Sequence, residues 1–375
     1  MGFRTAALPD FPWDTLVPYA QRARSHPEGI VDLSVGTPVD ATPEHVRAAL
    51  AAAADAPGYP TTHGTPRLRE AAAAWLARRR NAPGVDPAAV LPTIGSKELV
   101  ALLPSLLGLG GGDVVVHPEV AYPTYDVGAR LAGAAPLPAD DVAAWSGRDD
   151  VRLVWINSPG NPTGRVAGVD QLRAVVTAAR AIGAVVASDE CYGLLAWSKP
   201  WASEGVPSIL DPRVCDGDHT DLLVVQSLSK QSNLAGYRAG FVAGDPRRVA
   251  ALLEVRKHAG MMLPGPVQAA AAAALADDAH VDAQVERYRR RRTALLGALT
   301  QAGYVVDGSD AGLYLWVRAA GPGQDCWQTV ADLADQGILV APGSFYGPAG
   351  VRHVRVALTA SDEAVAAAVA RLTGA

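Results

Sequence analysis

The sequence predicts an α/β fold: a large domain with a mostly parallel central sheet, followed by a smaller α+β domain. Three observations carry this expectation. Short apolar runs alternate with helix-length segments between about residues 90 and 226, the rhythm of a doubly wound sheet. The unusual polar residues fall where those runs end, which in such sheets is the ligand-binding edge. After Pro264-Gly265-Pro266 the texture changes to one long helical stretch and then β-like segments. With 375 residues, 49% of them hydrophobic and 19% charged, the chain can bury two cores.

Taken in order, residues 1–40 are irregular and proline-punctuated, with an apolar run at 30–35 ending in Gly36-Thr37-Pro38. Thr42-Pro43-Glu44 reads as a helix start, with Thr42 as N-cap and Pro43 at the first helical position, and the helix continues to about Ala54. The segment PGYPTTHGTPRLREA then leads into a second helix, with Thr65 as N-cap and Pro66 in its first turn. Strand-like runs lie at 90–94, 114–117, 151–157, 184–188 and 222–226, and helical stretches at 97–107, 122–132 and 168–182. Beyond 265, an Arg-rich helical segment (287–292) precedes β-like runs at 313–317, 338–340 and 353–358 and a final helix. We place the domain change between 265 and 285: residues 41–265 form the large domain, and residues 1–40 with 266–375 the small one.

Composition excludes several classes of function. A net charge of −5 leaves no basic footprint for nucleic acid. Cys191, Cys215 and Cys326 are scattered and odd in number, against a disulfide framework or a cysteine zinc site, and no metal is expected. The first twenty residues lack the apolar core of a signal peptide. The apolar stretch 99–116 is broken by Pro104, glycines 110–112 and Asp113, so no membrane span is expected. The compartment expected is the reducing cytoplasm.

The chemistry centres on DLLVVQSLSKQSNLAGYRAGF, residues 221–241. Only four lysines occur, Lys97, Lys199, Lys230 and Lys257, and Lys230 follows a core strand between serines. A lysine there suits a Schiff base with a carbonyl, and Ser227, Ser229 and Arg238 suit a phosphate beside it. That combination points to pyridoxal 5′-phosphate, against the plainer reading of a solvated loop lysine. Gly95-Ser96-Lys97 is a strand-to-helix turn able to hold an anion on backbone N–H groups. Tyr122 lies beyond the next strand, where a flat ring could stack on it. Asn161, in the loop NSPGNPTG, can present an amide to a ring oxygen, and Tyr192 can donate to the same atom. Asp189 at a strand end needs a cationic partner, which a protonated ring nitrogen supplies. Arg355, inside the apolar run HVRVAL, suits the α-carboxylate of an amino acid. Each residue singly has a structural alternative: turn, cap, core aromatic or ion pair. Their joint placement at strand ends is what one cofactor hypothesis requires.

These motifs resemble the class I/II aminotransferases of pyridoxal phosphate fold type I. The likeness runs over nearly the whole chain: LSVGTP, GYPTTHGTPRLREA, GSKE, AYPTY, NSPGNPTG, SDECY, SLSK with Arg238, and Arg355. The resemblance implies that Lys230 carries the cofactor, that Asp189 pairs with its ring nitrogen, and that Asn161 and Tyr192 bond its ring oxygen. Tyr122 would stack on the ring, and Gly95, Ser96, Lys97, Ser227, Ser229 and Arg238 would surround the phosphate. Lys97 is left open between phosphate, substrate and neither. Gly36, Asn161 and Arg355 would meet the substrate. Tyr59 would reach the neighbouring subunit's phosphate, implying a homodimer with shared sites.

FPWDTLVPYAQRARSHPEGIVDLSVGTPVD, DECYGLLAW and VRKHAGMMLPGPVQAA further resemble the actinobacterial type of N-succinyldiaminopimelate aminotransferase. The substrates this likeness implies are L-glutamate and N-succinyl-2-amino-6-oxopimelate. An aspartate or aromatic aminotransferase, or a carbon–sulfur lyase of the same fold, are the alternatives. No single residue stands out for the acceptor's distal carboxylate.

Overall fold

The computed structural model describes residues 8–9, 12–321 and 323–374. The chain first lays down a two-residue strand β1 (Val31–Asp32), and then the strands of one large sheet: β2 (Val90–Ile94), β3 (Val114–His117), β4 (Ala135–Pro138), β5 (Val151–Asn157), β6 (Val185–Asp189), β7 (Leu222–Ser227) and β8 (Ala239–Gly244). Their spatial order is β2-β8-β7-β6-β5-β3-β4. All adjacent pairs from β7 to β4 are parallel, while β8 runs antiparallel to both β7 and β2.

Both faces of this sheet are covered, which is why its strands read as unbroken apolar runs. Side chains alternate across the pleat. Val116, Val154, Val186 and Val224 pack with Val46, Trp75, Leu76 and Leu275 on one face. Val115, Leu153, Val185 and Val225 pack with Leu99, Leu103, Tyr125 and Leu252 on the other.

A second, antiparallel sheet follows, built from β9 (Tyr304–Val306), β10 (Tyr314–Ala319), β12 (Ala341–Pro342) and β13 (His353–Ala357), in the order β12-β13-β10-β9. Strand β11 (Ile338–Leu339) pairs in parallel with β1. This pairing ties the leader to the carboxy-terminal part, and Leu16, Ala23, Val31 and Leu33 join Leu315, Val354, Val356 and Leu372 in one core. Residues 1–7, 10 and 11 of the leader lie outside the described residues. We propose the division into large and small domains on this packing. The helix Gly265–Ala276 sends Ala270 and Leu275 into the large core, which argues for a boundary in the 276–279 link.

Several expectations change in detail. The helix at Glu44–Ala52 has Pro43 as its N-cap residue and no side-chain cap. Thr42 Oγ1 instead donates to the Asn233 carbonyl at 3.2 Å, because a tertiary acceptor competes for the hydroxyl. Thr65 does cap its helix, accepting from Leu68 N at 3.3 Å. Strand β6 runs one residue further than the apolar pattern indicates and includes Asp189. Strand β4, Ala-Pro-Leu-Pro, is the sheet's edge, the one place where two prolines are tolerated in a strand.

Candidate active site

The carboxyl ends of β5, β6 and β7 and the turn after β2 open on a cavity of about 480 Å³. Its lining includes Gly36, Ser96, Lys97, Tyr122, Asn161, Asp189, Tyr192, Ser227, Ser229, Lys230, Arg238 and Arg355. Gly95 lies behind this wall, against the Arg238 guanidinium. Tyr59 is not among the lining residues and is 96% exposed. Lys199 and Lys257 are exposed and lie elsewhere, with Lys257 paired to Glu254.

Local structure explains how each group is held. Strand β7 ends at Ser227, whose hydroxyl accepts from Ser229 N (3.2 Å) and caps the single helical turn Leu228–Gln231. That turn aims Lys230 inward, where its Nζ donates to the Gly36 carbonyl, while Tyr288 Oη donates to the Lys230 carbonyl at 3.2 Å. Burial is the main cause that lowers the Lys230 pKa below its ordinary value. The positive Arg355 and Arg238 push the same way. A larger share of neutral amine follows, as a nucleophile and base requires.

Asp189 is 7% exposed and has no cationic partner among the described residues. Its Oδ2 accepts from Tyr125 Oη (2.9 Å) and its Oδ1 from Cys191 N (3.2 Å). Burial raises its pKa despite both hydrogen bonds. No helix starts at Asp189, so helix capping does not account for it. Tyr125, the second tyrosine of AYPTY, was missed in the sequence. It faces inward from the helix Thr124–Ala132 and packs on Trp155 with ring centres 5.1 Å apart.

Asn157, the last residue of β5, braces two of the functional groups. Its Nδ2 donates to the Asp189 carbonyl (3.0 Å) and its Oδ1 accepts from Asn161 N (2.7 Å). Asn161 Oδ1 in turn accepts from Arg355 Nη1 at 3.0 Å, which leaves the Asn161 amide N–H groups to donate elsewhere. Arg355 is 3% exposed and has no carboxylate partner among the described residues. Its Nη2 donates to the Ser34 carbonyl (2.6 Å), and its buried Nε–H has no acceptor. Among the described residues, the structural ion pair that could have explained this arginine is therefore missing.

Tyr314 was also missed, and strand pairing shows why it matters. Arg355 sits opposite Trp316 in the β10/β13 ladder, so Tyr314, two residues along, lies on the same face. The guanidinium carbon is 4.0 Å from the Tyr314 ring centre, a cation–π contact. Tyr192 and Tyr314 hydroxyls are 3.3 Å apart. Burial pushes the Tyr192 pKa up. For Tyr314 burial acts in the same sense, but Arg355 and Lys230 outweigh it and bring the value down.

The phosphate end is equally built. Gly95 has φ +74°, and a Cβ there would collide with the Arg238 guanidinium, which has no carboxylate partner among the described residues. Glu98 of the same turn points away from the cavity. It accepts from Ile94 N (3.2 Å) and pairs with buried Arg256 at 2.5 Å, pinning the turn to the helix Pro246–Ala259. Behind Asp189, Glu190 and Arg80 form a buried ion pair at 2.9 Å, and Arg80 also donates to the Gly193 carbonyl at 2.9 Å. The strand end carrying Asp189 and Tyr192 is thus held from below.

Comparison with known proteins gives this arrangement its context. Residues 28–372 match the family described as aminotransferase class I and II. The chain is 62% identical over 372 residues to the probable aminotransferase Rv1178 of Mycobacterium tuberculosis, covering 99% of this chain and 87% of that protein. It is 57% identical over 366 residues to the 4-dedimethylamino-4-oxo-anhydrotetracycline transaminase OxyQ of Streptomyces rimosus, covering 98% and 99%. Among solved structures, a probable N-succinyldiaminopimelate aminotransferase from Thermus thermophilus superposes with a TM-score of 0.86 at 29% identity, covering 97% of this chain and all of that one.

Proposed function

The chain belongs to the class I and II aminotransferases, pyridoxal phosphate-dependent enzymes of fold type I, and from that premise we propose that it transfers an amino group from L-glutamate to N-succinyl-2-amino-6-oxopimelate. The observation that carries the amino-acid half of this reading is Arg355: a fully buried guanidinium, aligned by Asn161 and Tyr314, with an unpartnered Nε–H and no carboxylate of its own. The α-carboxylate of glutamate supplies the missing anion, and a bidentate contact fixes its orientation.

The residues present fit the cofactor. Asp189 is a buried carboxylate short of a cation, Arg238 and the serines form a cradle short of an anion, and Lys230 is the buried lysine between them. When bound, pyridoxal phosphate supplies an aldehyde that captures the amine and a ring that accepts the electron pair released at the substrate α-carbon. Lys230 Nζ is the amine that would hold the cofactor's aldehyde carbon. As a free amine with a lowered pKa, the same Nζ would be the base that receives the α-proton and returns it. The Asp189 carboxylate, its direction fixed by Tyr125 and Cys191 N, would keep a ring nitrogen protonated. Asn161 and Tyr192 would donate to a ring oxygen, and Tyr122 would cover the ring face. Ser96, Ser227, Ser229 and Arg238, with the backbone after Gly95, would hold the phosphate. Lys97 lies at the cavity edge beside Tyr122, 5.9 Å from its ring centre.

The acceptor rests on likeness, to the Thermus structure and to the N-succinyldiaminopimelate branch. A second reading is favoured by the 57% identity to OxyQ: an acceptor with a ring ketone on an anhydrotetracycline skeleton. The test is a comparison of kcat/KM for the glutamate-loaded enzyme with the two acceptors. The proposal expects the succinylated semialdehyde to lead by at least tenfold, and a lead for the ring ketone would replace it. We further propose a cytoplasmic homodimer in which Tyr59 completes the partner's phosphate site. Among the described residues no helix is long and apolar enough to cross a membrane.

A further inference from the structure

Away from the catalytic cavity, three metal-ligating side chains converge from different elements. His45 is the second residue of the helix Glu44–Ala52, His280 the second residue of the helix Ala279–Gln301, and Asp277 lies in the link before the latter. Asp277 Oδ2 is 2.8 Å from His280 Nδ1 and 3.7 Å from His45 Nε2. One ligand atom from each of the three lies within 4.8 Å of the others. We propose that His45, Asp277 and His280 form a site for one divalent transition-metal ion of the zinc type.

The distances suit such an ion. With bonds of about 2.0–2.1 Å, tetrahedral zinc holds neighbouring ligand atoms roughly 3.3–3.5 Å apart. The two Asp277 separations bracket that value, and the histidine pair lies within 4.8 Å, so the exposed His45 side chain has to close on the metal. Two imidazoles and one carboxylate are a borderline donor set, which selects zinc, cobalt or nickel over calcium and magnesium.

The surroundings support the same reading. His280 Nε2 is 2.9 Å from the hydroxyl of Ser232, which is fully buried. A ligating histidine typically has its second ring nitrogen held in this way. Without metal, His280 Nδ1–H donates to Asp277 and Nε2 accepts from Ser232. With metal on Nδ1 the neutral ring takes its other tautomer: its single proton sits on Nε2 and is donated to the Ser232 oxygen, while Asp277 turns from accepting that proton to binding the metal. Two arginines of the neighbouring helix Pro66–Arg80 are already neutralised: Arg78 pairs with Asp278 at 2.7 Å and Arg79 with Asp282 at 2.7 Å. Both histidines sit at helix starts, where the dipole disfavours a cation, and the Asp277 charge offsets this. Three protein ligands leave a fourth position for water on the open His45 side, the pattern of an exchangeable site.

The test uses enzyme loaded with pyridoxal phosphate and freed of metal by chelation, titrated with Co²⁺ while its visible d–d bands are followed, then back-titrated with Zn²⁺. The expected result is one Co²⁺ per chain, displaced by Zn²⁺. His45→Gln and His280→Gln should each bind at least tenfold more weakly. His45 is surface-exposed, so its variant should keep the metal-free Tm of the wild type and serve as the decisive one. Absence of cobalt bands in the wild type, or unchanged affinity in His45→Gln, would overturn the proposal and leave the cluster as a helix cap.

Discussion

Asp189 shows at the scale of one residue how this site is prepared for its cofactor. Burial raises its pKa above the ordinary 3.8, so the unfolded chain releases this proton at lower pH than the folded one. Between the two values the folded state binds more protons, and stability falls as pH rises. The cofactor-free protein should therefore lose stability from about pH 4 upward relative to Asp189→Asn, which lacks this titration. Urea midpoints from pH 4 to 7 for both proteins check the sign, and a pH-independent difference would contradict it. Arg355 makes the corresponding case for the substrate. A lysine in its place keeps the charge but loses the planar fork. Arg355→Lys should cut kcat/KM for glutamate about 10- to 100-fold, one to two charge-assisted bonds, while the pyridoxal phosphate affinity holds. Lys230, Asp189 and Arg355 were legible in the sequence because a charged residue at the end of, or within, an apolar run is costly without a purpose. Tyr125, Asn157 and Tyr314 were not. An aromatic or an amide near a strand end has many structural uses, and only strand register shows that Tyr314 and Arg355 share a face.

Elements matter here through the turns that end them. The turn after β2 brings Gly95 to φ +74° and ψ 166°, a conformation only glycine adopts freely, directly against Arg238. Gly95→Ala should weaken pyridoxal phosphate binding by tenfold or more, in addition to about 1–3 kcal/mol of backbone strain. Gly84 is the control, because its φ is +82° but a Cβ there would meet nothing within 4 Å. Gly84→Ala should lose stability and keep its cofactor affinity, as measured by cofactor titration of both variants. Strands β2, β3 and β5 were legible to their end residues, since buried parallel strands are continuous apolar runs. Strand β4 was hidden by its prolines, and β8 by the small residues that flank Phe241 and Val242. Thr42 read as a cap because local spacing says nothing about the distant Asn233 carbonyl that claims its hydroxyl.

The whole molecule raises the question of how many chains complete a site. Tyr59, almost fully exposed, has no role within its own chain's cavity. If it serves a partner, mixing Lys230→Ala with Tyr59→Phe subunits creates hybrids in which one site keeps both Lys230 and a partner Tyr59. Activity of the mixture should exceed that of either parent, and a simple average of the two would place Tyr59 outside the shared site. The mostly parallel large sheet and smaller β-rich part were readable from periodicity. The pairing of β1 with β11, which closes the leader over the carboxy-terminal core, was not, because two-residue strands carry no period.

That Lys230 anchors the cofactor and moves the α-proton in glutamate-driven transfer is the central claim. It is tested most directly in a single half-reaction: enzyme loaded with pyridoxal phosphate is mixed with L-glutamate alone, and 2-oxoglutarate is counted. One 2-oxoglutarate per chain should form, with loss of the cofactor's aldehyde absorption, and Lys230→Ala should slow this by about 10²–10⁴-fold. Glutamate that yields no 2-oxoglutarate, or a Lys230→Ala enzyme that reacts as fast as the wild type, would contradict the account.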